Sequence, residues 1–242
     1  MIEIYNERLA DVEVLHAVPT GMKQSPLPTV IFYHGFTSSK LVYSYFAVAL
    51  AQQGFRVVMP DALDHGARYG GDAHTRLQQF WPILKNSIDE FPALYQALLK
   101  TGGVADGRLA VGGASMGGMT ALGVMARHPE VRCVASLMGS GYFATLAQTL
   151  FPPPVDVREK VIAGLVDYDV GKQLEQLGDR PLLLWHGEDD DVVPAVETFR
   201  LQRALADNRL DKNLTCVWET GVRHRITPEA LETTSQFFAR YL

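Results

Sequence analysis

Residues 108–117 read RLAVGGASMG, and this stretch decides the fold. An apolar run, residues 108–111, leads directly into a serine, Ser115, that is followed by a segment rich in Ala, Gly and Met. A strand that turns sharply into a helix can hold a serine in a strained conformation at its tip. Side chains at Gly113 and Gly117 would collide with the neighbouring strand and helix. The pattern therefore predicts Ser115 as a nucleophile at a helix N-terminus, rather than a residue of an ordinary tight turn.

Apolar runs of strand length recur on both sides of this motif. They cover residues 29–33, 55–59, 108–111, 131–138, 181–185 and 214–218. Strands that are buried on both faces have this composition, which is typical of parallel sheets covered by helices. Residues 2–5 and 12–18 instead alternate apolar and polar side chains. This alternation predicts a half-exposed antiparallel pair at the start of the chain.

Helical patterns separate the predicted strands. They cover residues 41–53, 75–100, 115–127, 194–206 and 227–242. Pro82 and Pro92 lie inside the second pattern, so we expect that helix to be kinked or split. Alternating strands and helices predict a doubly wound, mostly parallel α/β sheet with helices on both faces.

One stretch, residues 139–180, interrupts the alternation with short amphipathic pieces and three consecutive prolines. It is too long to be a plain connection. We interpret it as a small insertion over one end of the sheet, either a lid or a longer crossover. Since one α/β domain commonly reaches 200–250 residues, we expect residues 1–242 to form a single domain.

Composition and charge exclude several classes of function. The 242 residues carry 22 basic and 27 acidic side chains, a formal net charge of −5, which is unsuited to nucleic acid or an anionic membrane. No leader-like segment opens the chain and no apolar run reaches membrane length, so we expect a cytoplasmic protein. Cys133 and Cys216 lack partners at metal-binding spacing. The histidines are scattered, and no phosphate-loop or dinucleotide-binding motif is present, so we expect no metal and no cofactor. The sequence leaves the oligomeric state open.

A serine nucleophile needs a base, and seven histidines compete for that role. His224 follows the last predicted strand, so it satisfies the order serine, acid, histidine that this type of fold requires. His65, in the turn after residues 55–59, is the runner-up. His34 and His186 each precede a glycine at a strand end, where an imidazole usually supports a loop. We predict His224 as the base.

The base needs a carboxylate that fixes its tautomer. Asp189, Asp190 and Asp191 follow one another directly after the strand predicted at residues 181–185. Successive side chains in a loop point in different directions, so one of the three can face His224. Reasoning from the residues alone leaves the choice open.

Four motifs together resemble a known family. They are residues 33–39 (YHGFTSS), 113–118 (GASMGG), 186–194 (HGEDDDVVP) and 221–224 (GVRH). With these motifs the chain resembles serine hydrolases of the α/β-hydrolase fold, in the branch of dienelactone hydrolases and prolyl oligopeptidases. The resemblance spans most of the chain and is weakest across residues 139–180. Asp64-His65 stands where many relatives have a Gly-His pair, a difference that changes no catalytic assignment.

The resemblance implies further site residues. In the family, the acid is the fourth residue after the histidine of the His-Gly turn, here Asp190 after His186. The family also implies an oxyanion hole made by the backbone N–H groups of Met116 and Phe36. The side chain of His34 is then structural.

These predictions combine into a carboxylesterase that hydrolyses short to medium acyl esters. Ser115, activated by His224 and Asp190, would attack the ester carbonyl, and water would clear the acyl-enzyme. A thioesterase, an acyltransferase or a peptidase could use the same triad, and a ligand-binding protein could retain it.

We expect the partner to be a small-molecule ester that binds against aromatic side chains. Phe36, Tyr142 and Phe143 are the predicted substrate-binding residues. The insertion also carries apolar residues at near-helical spacing that could cover the acyl site, namely Tyr142, Phe143, Leu146, Leu150 and Phe151.

Overall fold

A computed structural model describes residues 1–178 and 180–242, and all strands found there belong to one eight-stranded sheet. In chain order the strands are Ile2–Leu9 (β1), Val12–Pro19 (β2), Leu27–Tyr33 (β3), Arg56–Pro60 (β4), Val104–Ala114 (β5), Cys133–Leu137 (β6), Leu182–Gly187 (β7) and Leu214–Glu219 (β8). Their order in the sheet is β1-β2-β4-β3-β5-β6-β7-β8. β2 pairs antiparallel with β1 and with β4, and the other neighbours are parallel. The predicted doubly wound, mostly parallel sheet is confirmed.

Most strands lie within two residues of their predicted bounds, but β1 continues to Leu9 instead of ending at residue 5. Two further strands differ from their prediction. β5 begins four residues early, because Val104 already pairs with Leu27 ahead of a register shift. Every residue of β8 is only half-buried, whereas the sequence predicted burial on both faces. The reason is position, since β8 is one of the two edge strands and no strand among the described residues pairs with its outer side.

Helices connect the strands and cover the sheet. They are Ser44–Gln52 (α1), Ala73–Gln78 (α2), Phe80–Lys100 (α3), Met116–Arg127 (α4), Phe143–Leu146 (α5), Arg158–Leu165 (α6), Ala195–Asp207 (α7) and Pro228–Tyr241 (α8). The helix predicted over residues 75–100 is split at Gln79, and Pro82 lies in the first turn of α3, where the missing N–H costs little. Among the helices described, none is long and apolar enough to cross a membrane.

The core has two layers, one on each face of the sheet. In β3, Ile31 and Tyr33 face one layer, while Val30 and Phe32 face the other. Residues of α3 and α4 fill the first layer, and residues of α1 and α8 fill the second. The ring of Phe32 stacks 4.1 Å from that of Phe46 in α1. This alternation follows from the two-residue period of a strand and places helices on both faces, as predicted.

The stretch from residue 139 to residue 178 packs against α3 and α4. It contains α5, α6 and three short 3-10 turns. Trp81 Nε1 donates a hydrogen bond of 3.0 Å to Leu150 O and fastens the stretch to α3. Asp179, inside the predicted insertion, lies outside the described residues. The lid role and the single domain over residues 1–242 stay predictions.

The turn between β5 and α4 is packed backbone against backbone. A Cβ on Gly113 would lie 2.3 Å from Gly117 O, and a Cβ on Gly117 would lie 2.1 Å from Tyr33 O at the end of β3. Both distances are far below van der Waals contact, and the obstructing atoms belong to backbone that cannot rotate away. The predicted collision at these two glycines is confirmed.

We predict that Gly117→Ala lowers the free energy of unfolding by about 3 kcal/mol or more, because β3 and α4 must separate to admit the methyl group. Gly164→Ala in α6 is the control, since a Cβ there meets no atom within 4 Å. That control should gain up to about 1 kcal/mol from its higher helix propensity. Chemical denaturation measures both variants, and equal stability of Gly117→Ala and wild type would contradict the packing argument.

Candidate active site

Ser115 occupies a strained turn between β5 and α4. Its backbone has φ 57° and ψ −120°, a conformation that costs a non-glycine residue about 1–3 kcal/mol. Two hydrogen bonds hold it, since Ser115 N donates to Leu137 O at 2.8 Å and Met119 N donates to Ser115 O at 3.0 Å. The conformation presents the hydroxyl at the carboxyl edge of the sheet, where ligands bind in open α/β folds.

His224 lies 109 positions after Ser115 in the sequence, and the fold brings the two side chains together. His224 Nε2 lies 2.9 Å from Ser115 Oγ. The loop that carries His224 follows β8 and is fastened to the loop after β7, because Asp189 N donates to Val222 O at 3.0 Å. A Cβ on Gly187 would lie 2.4 Å from Val222 O, so glycine is needed for this close approach.

Asp190 contacts the other side of the same imidazole. Its Oδ2 lies 2.7 Å and its Oδ1 3.0 Å from His224 Nδ1. Oδ1 also accepts hydrogen bonds of 2.9 Å from the N–H groups of Val192 and Val193. His186 Nε2 lies 3.2 Å from Oδ2. Hydrogen bonds therefore fix the carboxylate on several sides.

These contacts keep Asp190 ionised although its side chain is fully buried. Burial alone would raise the pKa of the carboxyl group, but the hydrogen bonds from His186 and His224 outweigh it and hold that pKa well below its usual range. A carboxylate at this place assigns the proton of the imidazole to Nδ1. His224 Nε2 is then free to accept the hydroxyl proton of Ser115.

The neighbouring aspartates do not reach the imidazole. Asp189 and Asp191 are exposed, and Asp191 faces the solvent-exposed Arg223 at 3.4 Å. Of the three consecutive carboxylates, Asp190 is the one that the structure places against His224. The catalytic role of this constellation stays a prediction.

His65, the alternative candidate for the base, makes hydrogen bonds to other groups. His65 Nδ1 lies 2.8 Å from Leu63 O, and His65 Nε2 accepts a hydrogen bond of 2.9 Å from Thr37 N. With both ring nitrogens engaged in loop contacts, His65 has no free lone pair for the proton of Ser115. His34 is also buried, with contacts to Gly35 O and Ala62 N.

The predicted oxyanion donors come from two adjacent turns. Met116 is the first residue of α4, where backbone N–H groups have no partner within the helix. Phe36 lies in the turn after β3, directly after Gly35. A Cβ on Gly35 would lie 3.5 Å from Ser115 Cβ, so this turn passes closely over the serine. The oxyanion role of both N–H groups stays a prediction.

A cleft of about 320 Å³ opens above Ser115. The turn after β3, the start of α1 and the loop that carries His224 line it with Gly35, Phe36, Ser38, Val42, Tyr43, Tyr45, Ser115, Met138, His224, Arg225 and Ile226. Sequence reasoning missed Val42, Tyr43 and Tyr45 as site residues, because all three lie inside the helical pattern predicted over residues 41–53. The helix begins at Ser44, and Val42 is 63% exposed. Their position shortly after the oxyanion turn was the available signal.

Two predicted substrate-binding residues lie away from this cleft. Phe143 is fully buried beside Gly123 of α4, and its ring centroid is 6.3 Å from that of Trp81. The ring of Tyr142 lies under the guanidinium of Arg200 at 3.8 Å, on the side of α7. Both side chains point into packing contacts because α5 folds back on the helical layer. Of the three predicted residues, Phe36 lines the cleft.

A strained serine at a strand-to-helix turn, with a histidine and a buried carboxylate in line behind it, defines a hydrolase of the α/β-hydrolase fold. The model of the prolyl oligopeptidase family matches residues 42–242, and the chain belongs to this family. A model described as platelet-activating factor acetylhydrolase, isoform II, matches residues 4–79. The predicted family and fold are confirmed.

Individual relatives agree with this assignment. The chain is 60% identical to Esterase YjfP of Escherichia coli K12 over the full length of both proteins. The structure of TT1662 from Thermus thermophilus superimposes with a TM-score of 0.82 at 22% identity, over 99% of this chain and 98% of the other. An esterase domain from Rhodothermus marinus gives a TM-score of 0.69 at 18% identity, over 100% and 99%. The two structures show the fold.

We predict that Asp190→Asn lowers kcat by about four orders of magnitude, because the amide favours the wrong tautomer of His224. The Asn oxygen can still accept from Val192 and Val193, so the loop should stay folded. Asp189→Asn and Asp191→Asn should lose much less, since both side chains are exposed. Steady-state kinetics with circular dichroism tests the set. A large loss in a flanking variant, or no loss in any of the three, would show that the acid is misassigned.

Proposed function

We propose that this hydrolase is a carboxylesterase for short to medium acyl esters, with Ser115, His224 and Asp190 as its catalytic triad. The proposal rests above all on the continuous hydrogen-bond path from Asp190 through His224 to Ser115 Oγ, with distances of 2.7 Å and 2.9 Å. A serine hydroxyl becomes an effective nucleophile when a correctly oriented base takes its proton.

The first half-reaction forms the acyl-enzyme. Ser115 Oγ attacks the ester carbonyl while His224 Nε2 takes the hydroxyl proton, and the negative charge of Asp190 stabilises the imidazolium that results. The carbonyl oxygen becomes an oxyanion held by the N–H groups of Met116 and Phe36. The tetrahedral intermediate collapses, the ester C–O bond breaks, and His224 returns the proton to the departing alcohol.

The second half-reaction regenerates the serine. A water molecule gives its proton to His224 and attacks the acyl carbonyl, and the same two N–H groups hold the second oxyanion. The proton then passes from His224 to Ser115 Oγ as the acid leaves.

Cleft size and aromatic packing favour small acyl groups. A volume of about 320 Å³ is at the lower end of the roughly 300–1,000 Å³ found for small-molecule sites. Phe36 is backed by two further rings, since its centroid lies 4.8 Å from that of Phe80 and 5.2 Å from that of Phe151. This wall limits the length of the acyl chain. The partial match to a family described as an acetylhydrolase fits the same size class.

A peptidase is the second candidate, favoured by the description of the prolyl oligopeptidase family. The same triad would cleave an amide, but the leaving amine is harder to expel than an alcohol. Parallel assays of an ester and an amide that share one acyl group distinguish the two functions, and we expect faster turnover of the ester.

We predict that Ser115→Ala folds normally and loses at least about 1,000-fold in kcat for a short-chain ester, because the covalent route disappears. A fluorophosphonate probe should label wild type and fail to label this variant. Ser136→Ala is the matched control. Ser136 is a buried serine near the same turn, and its hydroxyl donates a hydrogen bond of 3.0 Å to Gly118 O. Labelling of Ser115→Ala at another residue, or near-normal turnover, would refute the assignment of the nucleophile.

We further predict a preference of about tenfold or more for a butyrate over a laurate ester, measured as the ratio of kcat/KM values. Phe151→Ala should reduce this preference, because it removes one ring behind Phe36. Val155→Ala, in the same stretch and 82% exposed, should leave the ratio unchanged. Efficient hydrolysis of emulsified long-chain triglyceride, with little activity on short-chain esters, would contradict the proposed size class.

A further inference from the structure

The turn at residues 34–37 carries Phe36, and an imidazole holds the peptide group on each side of that residue. The predicted oxyanion donor, Phe36 N–H, belongs to the peptide unit between Gly35 and Phe36. The next unit joins Phe36 to Thr37. Because each unit is planar, the direction of its C=O bond also sets the direction of its N–H bond.

His34 fixes the first unit by a hydrogen bond to the carbonyl group of that unit. His34 Nδ1–H donates a hydrogen bond of 2.8 Å to Gly35 O, while His34 Nε2 accepts one of 3.0 Å from Ala62 N. In a trans peptide the C=O and N–H point in opposite directions, so this bond also directs Phe36 N–H. Burial lowers the pKa of His34 to about 4, which keeps the ring neutral, and its two partners select this tautomer.

His65 fixes the second unit through its N–H. Its Nε2 accepts a hydrogen bond of 2.9 Å from Thr37 N, and its Nδ1–H donates one of 2.8 Å to Leu63 O. Thr37 has φ 60°, a left-handed conformation that a β-branched residue rarely adopts. The bond from Thr37 N to His65 offsets part of this strain, and the ring of His65 lies 5.2 Å from that of Phe36.

We propose that His65 is a positioning residue that holds Phe36 N–H in its oxyanion-binding orientation, by fastening the turn after β3 to the turn after β4. The proposal rests on the proposed esterase function, in which Phe36 N–H meets the developing oxyanion. This role belongs to the histidine that was the alternative candidate for the base.

The turn after β4 is itself rigid enough to serve as an anchor. Asp61 is buried, its Oδ1 accepts a hydrogen bond of 2.8 Å from Lys40 N, and its Oδ2 accepts one of 2.9 Å from Ala67 N. Lys40 Nζ also pairs with Asp61 Oδ2. The two turns are therefore joined at Ala62, at Asp61 and at His65, and the contact of His65 is the one next to Phe36.

The contact requires an uncharged His65, since Thr37 N–H needs a lone pair on Nε2. Burial lowers the pKa of His65, and the nearby charge of Arg76 lowers it further, while the bond to Leu63 O and the charges of Asp64 and Asp61 raise it. The net direction is downward, so the ring is neutral at neutral pH.

Two substitutions separate the bonds that His65 makes. In His65→Asn the side-chain amide can replace Nδ1 and donate to Leu63 O, but no atom reaches Thr37 N. In His65→Gln the side-chain oxygen can replace Nε2 and accept from Thr37 N. His74→Asn, at an exposed position in α2, is the control for loss of a histidine as such.

Kinetics and a transition-state analogue give the readout. His65→Asn should lose about 10–100-fold in kcat with KM within about threefold of wild type, because the oxyanion donor is misplaced and substrate binding is retained. Its inhibition constant for a trifluoromethyl ketone, which forms an oxyanion on Ser115, should rise by a similar factor. His65→Gln should stay within about fivefold of wild type in both measurements. Equal values for the Asn and Gln variants, or a rise in KM with kcat intact, would overturn the proposal.

These experiments distinguish a failure of this inference from a failure of the proposed function. If wild type hydrolyses no ester, or Ser115→Ala retains activity, the function itself is wrong. If neither His65 variant folds, ¹⁵N NMR of the wild-type protein bound to the trifluoromethyl ketone tests the proposal instead. An unprotonated His65 Nε2 with a Thr37 amide protected from exchange supports the proposal. A protonated Nε2 or a freely exchanging Thr37 amide refutes it.

Discussion

The close approach of Tyr33 O to Gly117 is the constraint on which the rest of the site depends. A single methyl group at residue 117 would lie 2.1 Å from that oxygen. Because β3 and α4 meet without any side chain between them, the turn that leaves β3 must pass directly over Ser115. The hydroxyl and both predicted oxyanion donors thus come from two chain segments in backbone contact, and the imidazoles of His34 and His65 hold the turn that carries Phe36.

On the opposite side of Ser115, the site depends on a buried charge. Removing a carboxylate from water costs several kcal/mol unless hydrogen bonds replace the lost hydration. Asp190 receives such bonds from two backbone N–H groups and from two imidazoles. The loop after β7 therefore acts as a preformed solvation shell, and the retained charge can stabilise an imidazolium at His224 without rearrangement.

The sequence predicted the fold correctly, and it singled out three residues that the structure brings together, because both depend on local or ordered features. Apolar runs, a glycine-flanked serine and the order serine, acid, histidine are all visible along the chain. The choice of Asp190 over its neighbours came from family resemblance, because loop geometry sets the direction of each side chain. Tyr142 and Phe143 were misplaced for a related reason. Their spacing showed an apolar face correctly, but spacing cannot tell whether that face meets substrate or the neighbouring helices.

The histidines also show that the sequence does not reveal which groups a side chain will contact. They explain in addition how the loops at the edge of the sheet are joined. A neutral imidazole can donate through one nitrogen and accept through the other, so it can bridge two turns that both carry backbone polar groups. His34 and His65 do this between the turns after β3 and β4, and His186 lies between Val193 O and Thr198 Oγ1 after β7. His224 differs because its hydroxyl partner, Ser115, lines the cleft. The hydroxyl partner of His186 belongs to the buried Thr198. A rigid ring with two hydrogen-bonding nitrogens thus serves three times to hold the edge of the sheet and, in the proposed mechanism, once to move a proton. The partners of each imidazole distinguish the two uses, and those partners are brought together only by the fold.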